Sequence, residues 1–242
     1  MKFVAEFILK DKMITYEWRK CIISYIKKCL SEANEGKYFD TYYAPGKDKP
    51  FTLSVNFGSP VYKKDCIVVE DKNFKLYVST PDSKTGFILF SSIVAQKGKE
   101  FPLPMKNSMA MLSIKQLTEQ TVRGNRILIK MQAPLCIRKH YPDTNKDWYY
   151  SVKTQEEFSV EAKKVLYEQL KSAGFSEGDS HVDIMPVNAK VAIIRHYGMK
   201  LECSLGDFIL EGSPNALDYL SKAGMGSRRS SCFGMFSVMA EE

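Results

Sequence analysis

The stretch AGMGSRRSSCFGMFSV, residues 223–238, sets Gly224, Gly226 and Gly234 around two adjacent arginines, Arg228 and Arg229. Glycine lets backbone N–H groups come close to a phosphate. Arginine adds planar charge and bidentate phosphate contacts. Ser227, Ser230 and Ser231 add hydroxyl donors. The chemistry such a segment suits is the gripping of an anionic backbone. A plainer role stands beside it: Gly224 ends a helix and the arginine–serine run is a solvated loop.

Further cations lie upstream. Arg126, Lys130, Arg138 and Lys139, with Arg123, place charge early in the second half of the chain. A surface lined this way attracts phosphates with strongly salt-dependent affinity. The 242 residues carry a formal charge of +7, which permits an anionic partner such as nucleic acid without demanding one. The cysteines are Cys21, Cys29, Cys66, Cys136, Cys203 and Cys232, with no CxxC pair and no histidine at metal-ligand spacing. They read as small buried residues of a reducing compartment, and neither a metal nor another cofactor is expected. The opening MKFVAEFILKDK has a short apolar run cut by Glu6, unlike a secretory leader. The expectation is a soluble, cytoplasmic protein with no membrane partner.

The elements that must position these residues follow from periodicity. KFVAEFIL alternates as a strand. Trp18, Cys21, Ile22, Tyr25, Ile26, Cys29 and Leu30 form one helical stripe, with Thr15 as cap. Strands are expected at 51–57, 66–70 and 74–79, a helix from Asp82 to about Lys97, and a strand at 108–117. The second half repeats the order. It has a strand at 125–139 broken at Pro134, then a loop in HYPDTNKDWYYSV with a strand beginning at its end. Next come a helix capped by Ser159 and stopped at Gly174, strands 189–197 and 199–210, a helix opened by Ser213 and Pro214, and a last strand at 232–239. Strand, helix, two strands, helix, strand, given twice, predicts an α+β fold of two tandem ferredoxin-like (RRM-like) βαββαβ domains. The polar TEQTVRG connection sets the boundary, giving domains 1–119 and 120–242.

Gly224-Met225-Gly226, the basic spacer SRRSS and Cys232-Phe233-Gly234 before an apolar strand carry a resemblance. The segment resembles the C-terminal glycine-rich motif of the CRISPR repeat-cleaving endoribonucleases of the repeat-associated mysterious protein superfamily. Cys232 stands where the family's second cluster has its first glycine. The tandem ferredoxin-like order extends the likeness over most of the chain.

The resemblance implies binding of precursor CRISPR RNA and metal-independent cutting within each repeat. A ribose 2′-OH attacks the adjacent phosphorus and leaves a 2′,3′-cyclic phosphate and a 5′-OH. Such chemistry needs removal of the 2′-OH proton, protonation of the 5′ oxygen and positive charge at the phosphorane. By position, the family's helix tyrosine falls on Tyr25 and its lysine on Lys49. Its histidine position falls near Tyr43, a departure, because the only histidines are His140, His181 and His196. With Lys47 and Lys49 nearby, the phenol at this position orients the 2′-OH or donates a proton. The rival expectation is a non-catalytic RNA-binding subunit of the same superfamily, seated in a guide-RNA effector complex. Monomer and homodimer are both compatible with the sequence.

Overall fold

The computed structural model describes residues 1–44 and 49–242. Lys47 lies outside the described residues. The chain folds into two compact units, one of Met1–Glu119 with His196–Gly198 and one of Gln120–Arg195 with Met199–Glu242. Each is a mixed α+β body built on an antiparallel sheet, and together they form the tandem ferredoxin-like fold.

The first unit runs β1 (Lys2–Leu9), β2 (Met13–Ile14), α1 (Trp18–Glu32), α2 (Lys37–Tyr43), β3 (Thr52–Asn56), β4 (Val61–Tyr62), β5 (Ile67–Val68), β6 (Asn73–Ser79), α3 (Ser83–Val94), β7 (Glu100–Leu103) and β8 (Asn107–Leu117). Its main sheet has the order β3-β6-β1-β8-β7, and β2, β5 and β4 form a minor sheet. The expected strand at 66–70 shrinks to β5, paired only with β2 and β4. β1 lies between two partners, and Phe3, Ala5 and Phe7 are fully buried on it. Asp82 caps α3 by accepting from the backbone N–H of Lys84 and Thr85, at 3.2 and 2.9 Å.

The second unit runs β9 (Arg126–Met131), β10 (Ile137–Tyr141), β11 (Lys146–Tyr150), α4 (Gln155–Ser172), β12 (Val182–His196), β13 (Met199–Gly212), α5 (Pro214–Ala223) and β14 (Phe236–Glu241). Its four-stranded sheet has the order β12-β13-β9-β14. The β10–β11 pair stands apart as a two-stranded hairpin. The segment expected as one broken strand at 125–139 therefore serves two sheets. Much of HYPDTNKDWYYSV is hairpin rather than loop.

Two helix and strand starts also differ from expectation. α4 opens at Gln155, a turn before Ser159, because Phe158 is the first member of its buried stripe of Phe158, Ala162, Leu166 and Leu170. Glu156 and Glu157 occupy the first turn, where the helix dipole favours them. The last strand begins at Phe236, not Cys232. Ser213 caps α5 as expected, its hydroxyl accepting from the Ala216 N–H at 3.3 Å.

The segment from Gly224 to Met235 is fastened to the unit. Met225 is fully buried in the main core, and Phe233 is fully buried in a small cluster with Cys136, Leu201 and Cys203. Gly234 has φ +74, and a Cβ there would lie 2.0 Å from the Met225 carbonyl oxygen. Gly234→Ala is expected to cost at least about 2 kcal/mol in urea denaturation; a loss under about 0.5 kcal/mol would contradict this packing.

Candidate RNA interface

The glycine loop is shaped by hydrogen bonds that consume its own backbone. The Gln169 side-chain amide of α4 donates to the Gly224 carbonyl at 2.8 Å and accepts from the Gly226 N–H at 3.0 Å. Ser227 N–H donates to the Cys136 carbonyl at 2.8 Å, and Gly234 N–H to the Pro134 carbonyl at 2.9 Å. The expected phosphate cradle of glycine N–H groups is therefore corrected: at Gly226, Ser227 and Gly234 these donors serve the protein. What the loop presents is its cationic tip. Arg228 sits at φ 60, a short 3-10 turn spans Arg229–Ser231, and Cys232 follows at φ 65.

Arg228 leans onto the β10–β11 hairpin. Its guanidinium donates to the Tyr149 hydroxyl at 2.9 Å and reaches Asp147 Oδ2 at 3.5 Å. The hairpin register sets Arg138 opposite Tyr149 and His140 opposite Asp147. Alternation puts these four side chains on one face. Asp147 is their hub, taking Arg138 at 3.1 Å, His140 Nδ1 at 3.0 Å and the Tyr149 hydroxyl at 3.3 Å. Burial alone would raise its carboxyl; the hydrogen bonds from His140 and Arg138 outweigh that and hold it below the usual carboxylate range. Burial pushes the Tyr149 phenol up, so it stays protonated as a donor. Two guanidiniums on one carboxylate leave a net positive group at the surface.

The other expected cations scatter. Arg126 pairs with Glu211 at 2.9 Å and Glu242 at 3.0 Å. Lys130 is exposed on β9, on the face opposite buried Ile127, Ile129 and Met131. Lys139 is on the far face of the hairpin, bound to Glu161 at 3.2 Å. Arg229 donates to the Ala223 carbonyl at 3.5 Å. Ser227, Ser230 and Ser231 are half-buried along the tip.

In the first unit, two of the three expected catalytic residues meet. Lys49 lies 5.2 Å from the centre of the Tyr43 ring, and Lys27 of α1 lies 5.0 Å from it. Phe39 stacks on the same ring at 5.5 Å. Tyr25 is the correction. It is 2% exposed, with Phe7 and Phe101 edge-on at 5.3 and 5.4 Å. Burial, with the Cys29 thiol beside it, drives its phenol far above the usual range. A group so placed neither reaches an RNA nor gives up its proton.

Asp147, Tyr149 and Gln169 were not among the residues expected from the sequence. The signal for the first two was present: Arg138/His140 and Asp147/Tyr149 recur at two-residue spacing on either side of PDTN. Gln169 gave none, being one polar residue on a helix.

Residues 115–238, just over half of the chain, match the family described as CRISPR associated protein Cas6, C-terminal. The chain belongs to this Cas6 family. Three solved structures share its fold over nearly their whole length. One is described as "Characterization of a Cas6-related gene from Pyrococcus furiosus", with 18% identity, 100% and 99% coverage of the two chains and a TM-score of 0.85. A second, "An RAMP protein binding different RNA substrates", has 15% identity, 99% and 100% coverage and a TM-score of 0.84. A third, "CRISPR associated protein Cas6", has 18% identity, 99% coverage of each chain and a TM-score of 0.79. No curated protein matches the chain. No helix among the described residues of this Cas6-family chain is long and apolar enough to cross a membrane.

Two outcomes follow. Asp147→Asn is expected to lower stability at pH 7 by about 1–3 kcal/mol. Because the folded carboxyl is depressed, that difference holds above the unfolded value of about 3.9 and closes as pH falls through the lower folded value. Urea denaturation of both proteins across that range measures it, and a gap independent of pH would remove Asp147 as the hub. Tyr25→Phe keeps both ring contacts and removes a buried hydroxyl without a hydrogen-bond partner, so its unfolding free energy should hold or rise by up to about 2 kcal/mol.

Proposed function

We propose that this chain binds CRISPR repeat RNA and cuts it within the repeat without a metal ion. Membership of the Cas6 family supports the RNA, and the observation that carries the reading is the convergence of Arg138 and Arg228 at the tip of the glycine loop. Their surface suits the phosphates of an RNA strand. Lys27 and Lys49, both set against the Tyr43 ring, supply the second requirement, positive charge for the phosphorane.

The step follows from the ribose. The 2′ oxygen loses its proton to solvent and bonds to phosphorus as the P–O5′ bond breaks. The ammonium groups of Lys49 and Lys27 offset the charge that grows on the phosphorane oxygens. The departing 5′ oxygen takes its proton from solvent, because the Tyr43 hydroxyl, like that of Tyr25, is buried. Positioning the scissile bond in line supplies most of the acceleration. Tyr25 shapes the core beneath α1 and touches no reacting atom.

A second reading, RNA binding without cutting within an effector complex, is favoured by one fact: residues 1–119 contain no histidine. Repeat RNA incubated with the protein in EDTA separates the two. Fragments ending in cyclic phosphate, and no cutting of RNA with a 2′-deoxy residue at the scissile position, are the expected result; cutting of that substrate overturns the mechanism. Lys49→Ala should slow single-turnover cleavage by roughly 10²-fold, whereas Tyr43→Phe, which keeps the ring that Lys27 and Lys49 contact, should change it by less than about threefold. Arg228→Ala with Arg229→Ala should weaken RNA binding and lower the slope of log affinity against log salt by about 2. An unchanged slope would count against the loop as the grip.

A further inference from the structure

The β10–β11 hairpin has a second face, unused by the cluster around Asp147. Alternation places Lys139 and Tyr141 of β10 there with Lys146, Trp148 and Tyr150 of β11. Trp148 is 62% exposed and Tyr141 is 40% exposed. Large aromatic surface is seldom left to water without a use. The Tyr141 and Tyr150 hydroxyls meet at 3.1 Å, which braces their rings side by side. Together with Glu156, Glu157 and Glu161 of α4, these three rings line an open depression of about 600 Å³.

The charges in the depression are unevenly committed. Glu161 is bound by Lys164 at 2.8 Å and Lys139 at 3.2 Å; these ammoniums outweigh its burial and hold its carboxyl low. Glu157 takes one long hydrogen bond from Thr154, at 3.4 Å. Glu156 and Glu157 are exposed in the first turn of α4. The site therefore offers a flat aromatic surface, carboxylate acceptors beside it, and the ammoniums of Lys139 and Lys146 on the hairpin face.

We infer that this face binds an unstacked guanine base. Its ring system stacks on Trp148 and its N1–H and N2–H donors go to a carboxylate of Glu156 or Glu157. The attached phosphate meets Lys139 or Lys146. Each part of the ligand has a counterpart. Guanine presents two adjacent donors to match two carboxylate oxygens, whereas uracil presents one N–H between two carbonyls that a carboxylate repels. A basic side chain would satisfy the carboxylates but meet the two lysines. Unstacked bases held on aromatic side chains and read on their Watson–Crick edge are the usual basis of single-stranded RNA recognition. The inference deepens the RNA reading, on which it rests for the source of the base.

The test uses the full chain carrying Trp18→Phe, which leaves Trp148 as the only tryptophan of the two. GMP is expected to quench its fluorescence saturably, with a Kd of about 10⁻⁴–10⁻³ M, and UMP to bind at least roughly tenfold more weakly. Glu156→Gln with Glu157→Gln should narrow that preference, by weakening GMP about tenfold with little effect on UMP. In the tryptophan-containing parent, Trp148→Ala should reduce binding of a labelled UUGUU oligomer roughly 5- to 100-fold. Its circular dichroism and salt slope should stay those of the parent. Tighter binding of UUGUU than of GMP assigns the base to an RNA strand, and equal binding assigns it to a free nucleotide; both support the site. No saturable quench, equal response to GMP and UMP, or stronger binding of an oligolysine peptide than of GMP overturns it. Repeat cleavage in EDTA is scored separately, so loss of guanine binding and loss of cleavage remain distinguishable.

Discussion

The second unit depends on one side-chain amide and two backbone carbonyls holding the glycine loop in place. Gln169 bridges Gly224 and Gly226, and the carbonyls of Pro134 and Cys136 take the N–H groups of Gly234 and Ser227. Met225 and Phe233 anchor the loop ends in separate apolar clusters. The consequence is that Arg228 rides on a fixed support and meets Tyr149 and Asp147 at a defined place. A freely moving arginine would lose side-chain entropy on each contact with a phosphate; one already ordered loses less. The glycines act here through the close approach of chain to chain.

The hairpin beside the loop divides its labour by the two-residue period of a strand. Odd positions of β10 carry Lys139 and Tyr141, and the even ones carry Arg138 and His140; β11 alternates in register. One face therefore collects guanidiniums and an imidazole around a carboxylate, while the other collects rings. A slip of one residue would exchange the two sets and destroy both. The register is held at the turn, where Asn145 takes φ 49 after the short turn Pro142–Thr144.

The legible parts of the fold were those with one buried face. The stripe of α1 and the alternation of β1 follow from burial against a core, and Ser213 with Pro214 marks the start of α5 chemically. The hairpin was illegible because both of its faces are polar or aromatic, so no apolar–polar alternation signals it. The start of α4 was misplaced because Thr154 makes no side-chain capping bond and the stripe begins at Phe158. For the site, residue type and order located the cationic tip, but not its partners. Asp147 meets Arg228 across 81 residues of chain and Gln169 meets Gly226 across 57, separations at which single-sequence periodicity carries no information. Tyr25 misled for the opposite reason: its place on the apolar stripe of α1 already marked it as core.

Cys232 shows how a departure from a motif is absorbed. It adopts φ 65, the left-handed conformation for which glycine is the natural choice. For a residue with a Cβ this costs about 1–2 kcal/mol. The offset is visible in the same side chain, which is 1% exposed beside fully buried Phe233. Transfer of a small thiol into that apolar setting recovers energy of similar size. The turn geometry therefore survives the loss of a glycine, and with it the direction in which Arg228 leaves the backbone.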